Sequence, residues 1–331
     1  MNSNQLHENV LPLNSLRITT GSRLHFGLLD VLPPFGGVGV MIRHPETEVL
    51  VESADHFVCE GDGHGRVIDV ARRFQKHIGF SEMPCCRIQV VHRPKPHTGM
   101  GTGTQLAMTI AQSLASYVGK NIPRSDLATL VANRGKRSAV GVHGFFEGGL
   151  IFERPNAEKT ESTSFGQLNP IHTRVALPDN WHVVLLTPEQ GESTVSGDAE
   201  QQQFDELLPT SSIYRERLEE LVIRQMIPAV ERNDFNEFAN AVHQYNRQSG
   251  MMFANVQGGP YNGARVTELV ERLVLAGALG VGQSSWGPTV FSWFQTKDAA
   301  EEFVENFHCP DQSVLITNAC NQPRSMQPTP C

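Results

Sequence analysis

The sequence predicts an α+β protein of two domains, on three observations. β-type runs and amphipathic helical stretches mix along the chain without the strict alternation of a doubly wound sheet. The 331 residues are long enough for two domains with separate cores. A polar stretch over residues 154–166 precedes a fresh strand, which places a boundary near 155–178. The expected division is residues 15–175 and 176–320, flanked by disordered tails over 1–14 and 321–331.

The first half opens with short strands over 17–20, 24–29, 38–42 and 48–52, punctuated by Pro33, Pro34, Gly36 and Gly37. A helix fits 67–78, where Val67, Val70, Ala71, Phe74 and Ile78 recur at helical spacing. A strand over 87–92 leads through RPKPHTGMGTGT into a helix over about 105–118. The next helix starts near Ser125, a suitable N-cap, and ends before Gly135. The loop GKRSAVG follows, and then Gly148-Gly149 before a strand over 150–152. In the second half the spacing predicts a strand over 181–186, a long helical stretch over 211–247 interrupted near Pro228, and a helix over 261–276. The loop SSWGP, a strand over 289–294, a helix over 297–307 and a strand over 313–317 complete the chain.

Composition narrows the function. Apolar residues make up 39%, as in an ordinary globular protein, and the net charge of −8 argues against nucleic-acid binding that rests on phosphate neutralisation. The six cysteines form no CxxC pair, so neither a zinc site nor a disulfide framework is expected, and reduced thiols are. No secretory signal and no membrane span are recognisable, so a cytoplasmic location is expected.

Four segments carry the chemistry. The first is PHTGMGTGT, residues 96–104, between a strand and a helix. Gly99, Gly101 and Gly103 allow close backbone approach, Thr102 and Thr104 add hydroxyls, and the helix N-terminus favours an anion. It is not a P-loop, since GxxxxGK[ST] is absent, nor a dinucleotide fingerprint; a plain glycine-rich connector is the structural alternative. The second is GVGQSSWGPT, residues 280–289, where Gln283, Ser284, Ser285 and Trp286 suit the lining of a site or, equally, a tight hairpin around a core Trp. The third is GSRLHFGLLD, residues 21–30. On a strand Arg23, His25 and Gly27 share one face and Leu24, Phe26 and Leu28 the other, which suits a ligand-facing strand; a solvated sheet face is the alternative. The fourth is RGKRS, residues 134–138, whose Lys136 and Arg137 join Arg134 as a cationic run, a clamp for phosphate or a solvated loop.

Taken together these segments resemble the GHMP kinase superfamily, and more narrowly its non-kinase branch, the β-ribofuranosylaminobenzene 5′-phosphate synthases. SRLHFGLLD, GGVGVMI, GMGTGTQLAM, RGKRSAVGVHGFFEGG and GVGQSSWGPTV occur in the order of that family's motifs, from about residue 16 to residue 294. The resemblance implies a GHMP-kinase-like fold with an N-terminal α/β domain and a ferredoxin-like C-terminal domain. It implies a decarboxylating ribosyl transfer in tetrahydromethanopterin biosynthesis, in which phosphoribosyl pyrophosphate condenses with 4-aminobenzoate or 4-hydroxybenzoate and releases CO₂ and pyrophosphate. Mg²⁺ is the cofactor it implies; metal ligands are not identified.

With that chemistry Arg23, His25 and Asp30 are the expected catalytic residues. Gly99, Gly101, Thr102, Gly103, Thr104, Lys136 and Arg137 are expected to bind phosphate, and Gln283, Ser284, Ser285 and Trp286 the substrate. Many kinases of the superfamily carry GxxSGxDNxxxxxGG, and their activating Asp aligns with Gly141 here. A carbon nucleophile has no hydroxyl proton to lose, so the missing carboxylate suits the synthase better than an ATP-dependent kinase. The other alternative is a non-catalytic ligand sensor, for which eroded loops are expected. Small molecules are the expected partners, with no nucleic acid and no membrane; a homodimer is left open.

Overall fold

The computed structural model describes residues 15–155, 167–188 and 212–329. The expected tail over 1–14 and most of the expected linker over 154–166 lie outside the described residues.

Two sheets organise the molecule. In the first, β1 (Ser15–Leu28) and β2 (Gly37–Ser53) form a long antiparallel hairpin. β3 (Val58–Gly61) leads into α1 (His64–Ile78), and β4 (Cys86–His92) pairs with both β2 and β3. α2 (Thr102–Tyr117) packs on β1 and β2. A short turn, Arg124–Asp126, runs on into a π-helical turn, Leu127–Val131. α3 (Val140–Glu147) then precedes β5 (Leu150–Glu153) and β6 (Ile171–Val175). The expected pairs of short strands are thus two long ones. β1 is interrupted not by a turn but by bulges between Thr20 and Ser22 and between His25 and Gly27, where the ladder to β2 shifts register.

The second sheet has the order β10-β7-β9-β8 and is antiparallel throughout. Its strands are β7 (His182–Pro188), β8 (Leu279–Gln283), β9 (Val290–Phe294) and β10 (Gln312–Asn318). With helices between β7 and β8 and between β9 and β10, this is the expected ferredoxin-like arrangement. The long helical stretch divides into α4 (Ser212–Glu220), a π-helical turn (Leu221–Met226), α5 (Ile227–Glu231) and α6 (Phe235–Met251). The α-helical stretch is interrupted next to Pro228, as expected, by that π-helical turn, which ends at Met226 while the chain stays helical into α5. A second break comes at residues 232–234, with Asn233 at φ +56° and Asp234 capping α6 by accepting from Glu237 N–H at 3.0 Å. α7 (Ala264–Leu275) and α8 (Lys297–Asn306) cover the sheet's other face.

Two expectations need correction. Residues 321–331 are not a tail throughout, because Ser325–Pro328 forms β11 and pairs antiparallel with β1 from Leu16↔Pro328 to Thr19↔Ser325. β1 would otherwise present a row of unpaired backbone groups at a sheet edge, and this short polar segment satisfies them. Nor are the cores separate. One cluster lies wholly in the first half and one wholly in the second, but a third joins Leu24, Phe26 and Val40 to Trp181, Phe238 and Trp293.

Candidate active site

A cavity of about 630 Å³ opens where the two sheets meet, and all four segments singled out in the sequence reach it. β1 supplies Arg23 and His25, the first turn of α2 supplies Thr104, and the loop before α3 supplies residues 133–138. The loop between β8 and β9 supplies Ser285 and Trp286. Arg23, Arg134, Lys136 and Arg137 line the cavity, a concentration of positive charge in a protein of net charge −8. Phe35, Phe253 and Trp286 also line the cavity, and the last two meet edge to face at 5.0 Å. Among the described residues none that lines the cavity is an Asp or a Glu.

The glycine-rich loop opens the helix as expected, although its glycines do different work. Gly101 is the N-cap of α2 at φ +67°, and no side chain caps the helix. Thr104 and Gln105 N–H donate to the Gly101 carbonyl, and the helix itself offers no partner to the amides of Thr102 and Gly103. Gly99 is required by protein, not by ligand: a Cβ there would lie 2.2 Å from the Ser284 carbonyl oxygen. A Cβ on Gly101 would press on Arg23 at 3.3 Å. Of the loop residues named from sequence, Thr104 alone is among the lining residues; Gly99, Gly101, Thr102 and Gly103 adjoin them.

His25 is buried, and its Nε2 lies in hydrogen-bond distance, 3.1 Å, of Ser138 Oγ. Burial first, and the Arg23 guanidinium second, hold the His25 pKa well below the usual imidazole value. A neutral imidazole beside a hydroxyl can orient a substrate group or exchange a proton with it. Arg23 reaches toward the Gly99 carbonyl, with Nη1 at 3.5 Å. Asp30 is set apart, outside the cavity lining, and its carboxylate accepts from Leu32 N–H at 3.1 Å to hold the turn after β1.

The late loop is largely a joint. His25 N–H donates to Ser284 Oγ at 3.1 Å, and Ser284 Oγ donates to the Gly99 carbonyl at 2.9 Å, so one hydroxyl ties β1, the glycine-rich loop and the β8–β9 loop together. The Gln283 amide is engaged at both ends, donating to the Gly287 carbonyl and accepting from Asn262 N–H, each at 2.8 Å. Gln283, Ser285, at φ +57°, and Trp286 all line the cavity.

Gly141 lies at the base of the site. A Cβ there would sit 3.4 Å from Gln105 Nε2, 3.5 Å from Thr104 and 3.6 Å from Arg23 Nε, so the position where the kinase motif has its Asp lies beside two residues of the lining. Residues that sequence alone did not single out complete the wall: Phe35, Phe253 and Asn246. Asn246, on α6, donates to the carbonyls of Phe26 and Gln283, both at 2.8 Å, and so fixes the second domain against β1.

Comparison with known proteins fits this geometry. The model for the GHMP kinases N terminal domain matches residues 65–148, and that for GHMP kinases C terminal matches residues 226–310. The β-ribofuranosylphenol 5′-phosphate synthase of Methanothermobacter thermautotrophicus is 30% identical over 297 residues, covering 84% of this chain and 88% of that protein. The synthase of the same name from Archaeoglobus fulgidus is 28% identical over 291 residues, covering 84% and 87%. Among solved structures, homoserine kinase from Cytophaga hutchinsonii superimposes with a TM-score of 0.63 at 14% identity, over 98% of this chain and 100% of that one. Mevalonate diphosphate decarboxylase from Staphylococcus aureus gives a TM-score of 0.61 at 13% identity, over 95% and 98%. At such identities the structures establish the fold alone.

Proposed function

The chain belongs to the β-ribofuranosylphenol 5′-phosphate synthase family, built on the GHMP kinase fold, and from that premise we propose that its cavity joins phosphoribosyl pyrophosphate to a 4-substituted benzoate, a step of tetrahydromethanopterin assembly. The observation that carries the proposal is one cavity lined by both cationic and aromatic side chains, with no carboxylate among its described lining residues. A phosphorylated sugar matches the first kind of side chain and an aromatic acid the second. An enzyme that phosphorylates a hydroxyl by the motif's Asp has no such residue at Gly141, so the kinase alternative lacks its base. Phosphoribosyl pyrophosphate and the benzoate are the partners proposed, in a cytoplasmic enzyme. No helix among the described residues is long and apolar enough to cross a membrane.

The reaction follows from positioning and electrostatics. The bond from ribose C1 to the pyrophosphate oxygen breaks, and its electron pair leaves with the pyrophosphate. The benzoate carbon that bears the carboxylate forms the new bond to C1, pushed by the para substituent. The ring–carboxylate bond then breaks, its pair restores aromaticity, and CO₂ departs. Arg23, Arg134 and the Lys136–Arg137 pair hold anionic groups, while Phe253 and Trp286 receive the ring. Neutral His25, with Ser138, is placed to orient the para substituent or to hold its proton. The relatives' names describe a ribofuranosylphenol, which favours 4-hydroxybenzoate over 4-aminobenzoate. The lining offers hydroxyl oxygens but no carboxylate, and among the described residues no cluster of His, Cys, Asp or Glu forms a metal site. These donors fit a Mg²⁺ that arrives on the diphosphate oxygens, where it would neutralise leaving-group charge.

The test uses phosphoribosyl pyrophosphate, Mg²⁺ and carboxyl-labelled 4-hydroxybenzoate or 4-aminobenzoate without ATP. Labelled CO₂ and pyrophosphate should appear in equal amounts. Turnover only with ATP, yielding ADP, would overturn the synthase assignment in favour of a kinase.

A further inference from the structure

Arg66 lies outside every motif of the sequence and outside the lining of the cavity, yet it stands at the mouth of α2. It is on the first turn of α1, half-buried. A Cβ built on Gly103 would lie 3.9 Å from the Arg66 guanidinium carbon and 3.7 Å from a terminal nitrogen of Arg134. The two guanidinium groups therefore flank one point on the first turn of α2, and the glycine leaves that point open.

The charges around it are out of balance. Two other arginines stand at this corner, and both are engaged: Arg93 with Asp62 at 2.6 Å, and Arg73 with the Val131 carbonyl at 2.7 Å. Among the described residues the Arg66 guanidinium has neither an ion pair nor a hydrogen bond. Its pKa is lowered by burial first and then by the positive charges of Arg73 and Arg93, with Asp69 only partly opposing them. The Nε of Arg134 is buried without a hydrogen-bond partner. Like charges held together at a structural cost, beside helix amides that have no side-chain cap, are what a binding site for a dense anion requires.

We propose that Arg66 and Arg134 clamp the diphosphate of the ribosyl donor over Gly103, Arg66 being a binding residue contributed by α1; this rests on the synthase reaction proposed above. The diphosphate carries more charge than the 5′-phosphate, and its charge grows as it leaves. The pair of forks over an open helix turn is therefore best used there, since guanidinium groups bind phosphate oxygens through paired N–H donors.

The experiment is calorimetry of the full chain with inorganic pyrophosphate and, separately, ribose 5-phosphate, both with Mg²⁺. Arg66→Gln is expected to weaken pyrophosphate binding about tenfold or more and to leave ribose 5-phosphate within about twofold. Its melting temperature should be unchanged or raised, because the substitution removes a like charge and no partner. Gly103→Ala is the second variant: it fills the gap with a methyl group while improving helix propensity by up to about 1 kcal/mol. It too should lose pyrophosphate affinity without losing stability. Wild-type pyrophosphate affinity in Arg66→Gln overturns the clamp, and so does a selective loss of ribose 5-phosphate. The two proposals fail separately. Absent CO₂ release with Arg66-dependent pyrophosphate binding removes the reaction and keeps the clamp. Normal CO₂ release with unaltered pyrophosphate binding in Arg66→Gln does the reverse.

Discussion

Burial and the neighbouring Arg23 guanidinium keep the His25 imidazole neutral through the neutral range, which couples the site to pH in one direction. In the unfolded chain an imidazole takes up a proton as pH falls through about 6.5; in the folded chain His25 does so only well below that. Between those two values the unfolded state binds more protons, so stability falls as pH falls, and the contribution is fully present only above about 6.5. His25→Gln is therefore expected to lose less melting temperature than the wild type between about pH 7.5 and pH 5.5, whatever its absolute stability. Equal losses in the two proteins would mean that the imidazole is not held neutral. At this scale the sequence was informative where a residue type and a strand face agreed, as at Arg23 and His25. It misled at Asp30, whose carboxylate serves a turn. Arg66 could not be found at all, because what marks it is the company of arginines from other elements.

The glycine-rich loop and the β8–β9 loop are two elements built to touch, and Gly99 is where they meet. Gly99 at φ +83° and Gly277 at φ +85° share a backbone conformation, but a Cβ at 99 would strike the Ser284 carbonyl at 2.2 Å whereas at 277 nothing lies within 4 Å. Comparing Gly99→Ala with Gly277→Ala separates strain from collision. Gly277→Ala is expected to cost about 1 kcal/mol, the price of a left-handed alanine. Gly99→Ala should cost roughly 2–4 kcal/mol in denaturant unfolding and also impair turnover, because backbone cannot swing aside as a side chain can. Equal costs would show that the two loops part without penalty. The elements themselves were legible where periodicity was strong, as in α1 and α8. α3 was not foreseen: its sequence, VGVHGFFE, has two glycines and two valines, all weak helix formers. It is held by tertiary contacts, with Phe145 in the core and Gln105 Nε2 donating to the Gly141 carbonyl at 2.8 Å. β11 escaped notice because its four residues are all exposed and carry no apolar alternation, its pairing being set by the edge of β1.

At the scale of the molecule the cavity lies between two sheets whose halves share a core, and this bears on how the protein unfolds. Phe26 of β1 packs on Phe291 of β9 at 5.5 Å, and Phe238 of α6 lies against both Trp181 and Trp293, all of them fully buried. Leu24, Phe26, Val38, Val40 and Phe152 of the first half are buried in the same cluster; each contributes about 1.5–3 kcal/mol by burial, so these five amount to on the order of 10 kcal/mol. That is comparable to the entire net stability of a domain, roughly 5–15 kcal/mol. Neither half should then persist once the other has unfolded. The three tryptophans, Trp181, Trp286 and Trp293, all lie in the second half, whereas far-UV circular dichroism reports on helices and strands of both. The two signals are expected to trace one coincident denaturant transition, with equal midpoints and slopes. A fluorescence change that precedes the loss of circular dichroism would mean that the second half melts alone and that the shared core contributes little. In that event the Asn246 bridge from α6 to the Phe26 and Gln283 carbonyls would also be too weak to fix the cavity, and the aromatic and cationic side chains that line it would not keep the spacing that a bond between ring and ribose demands.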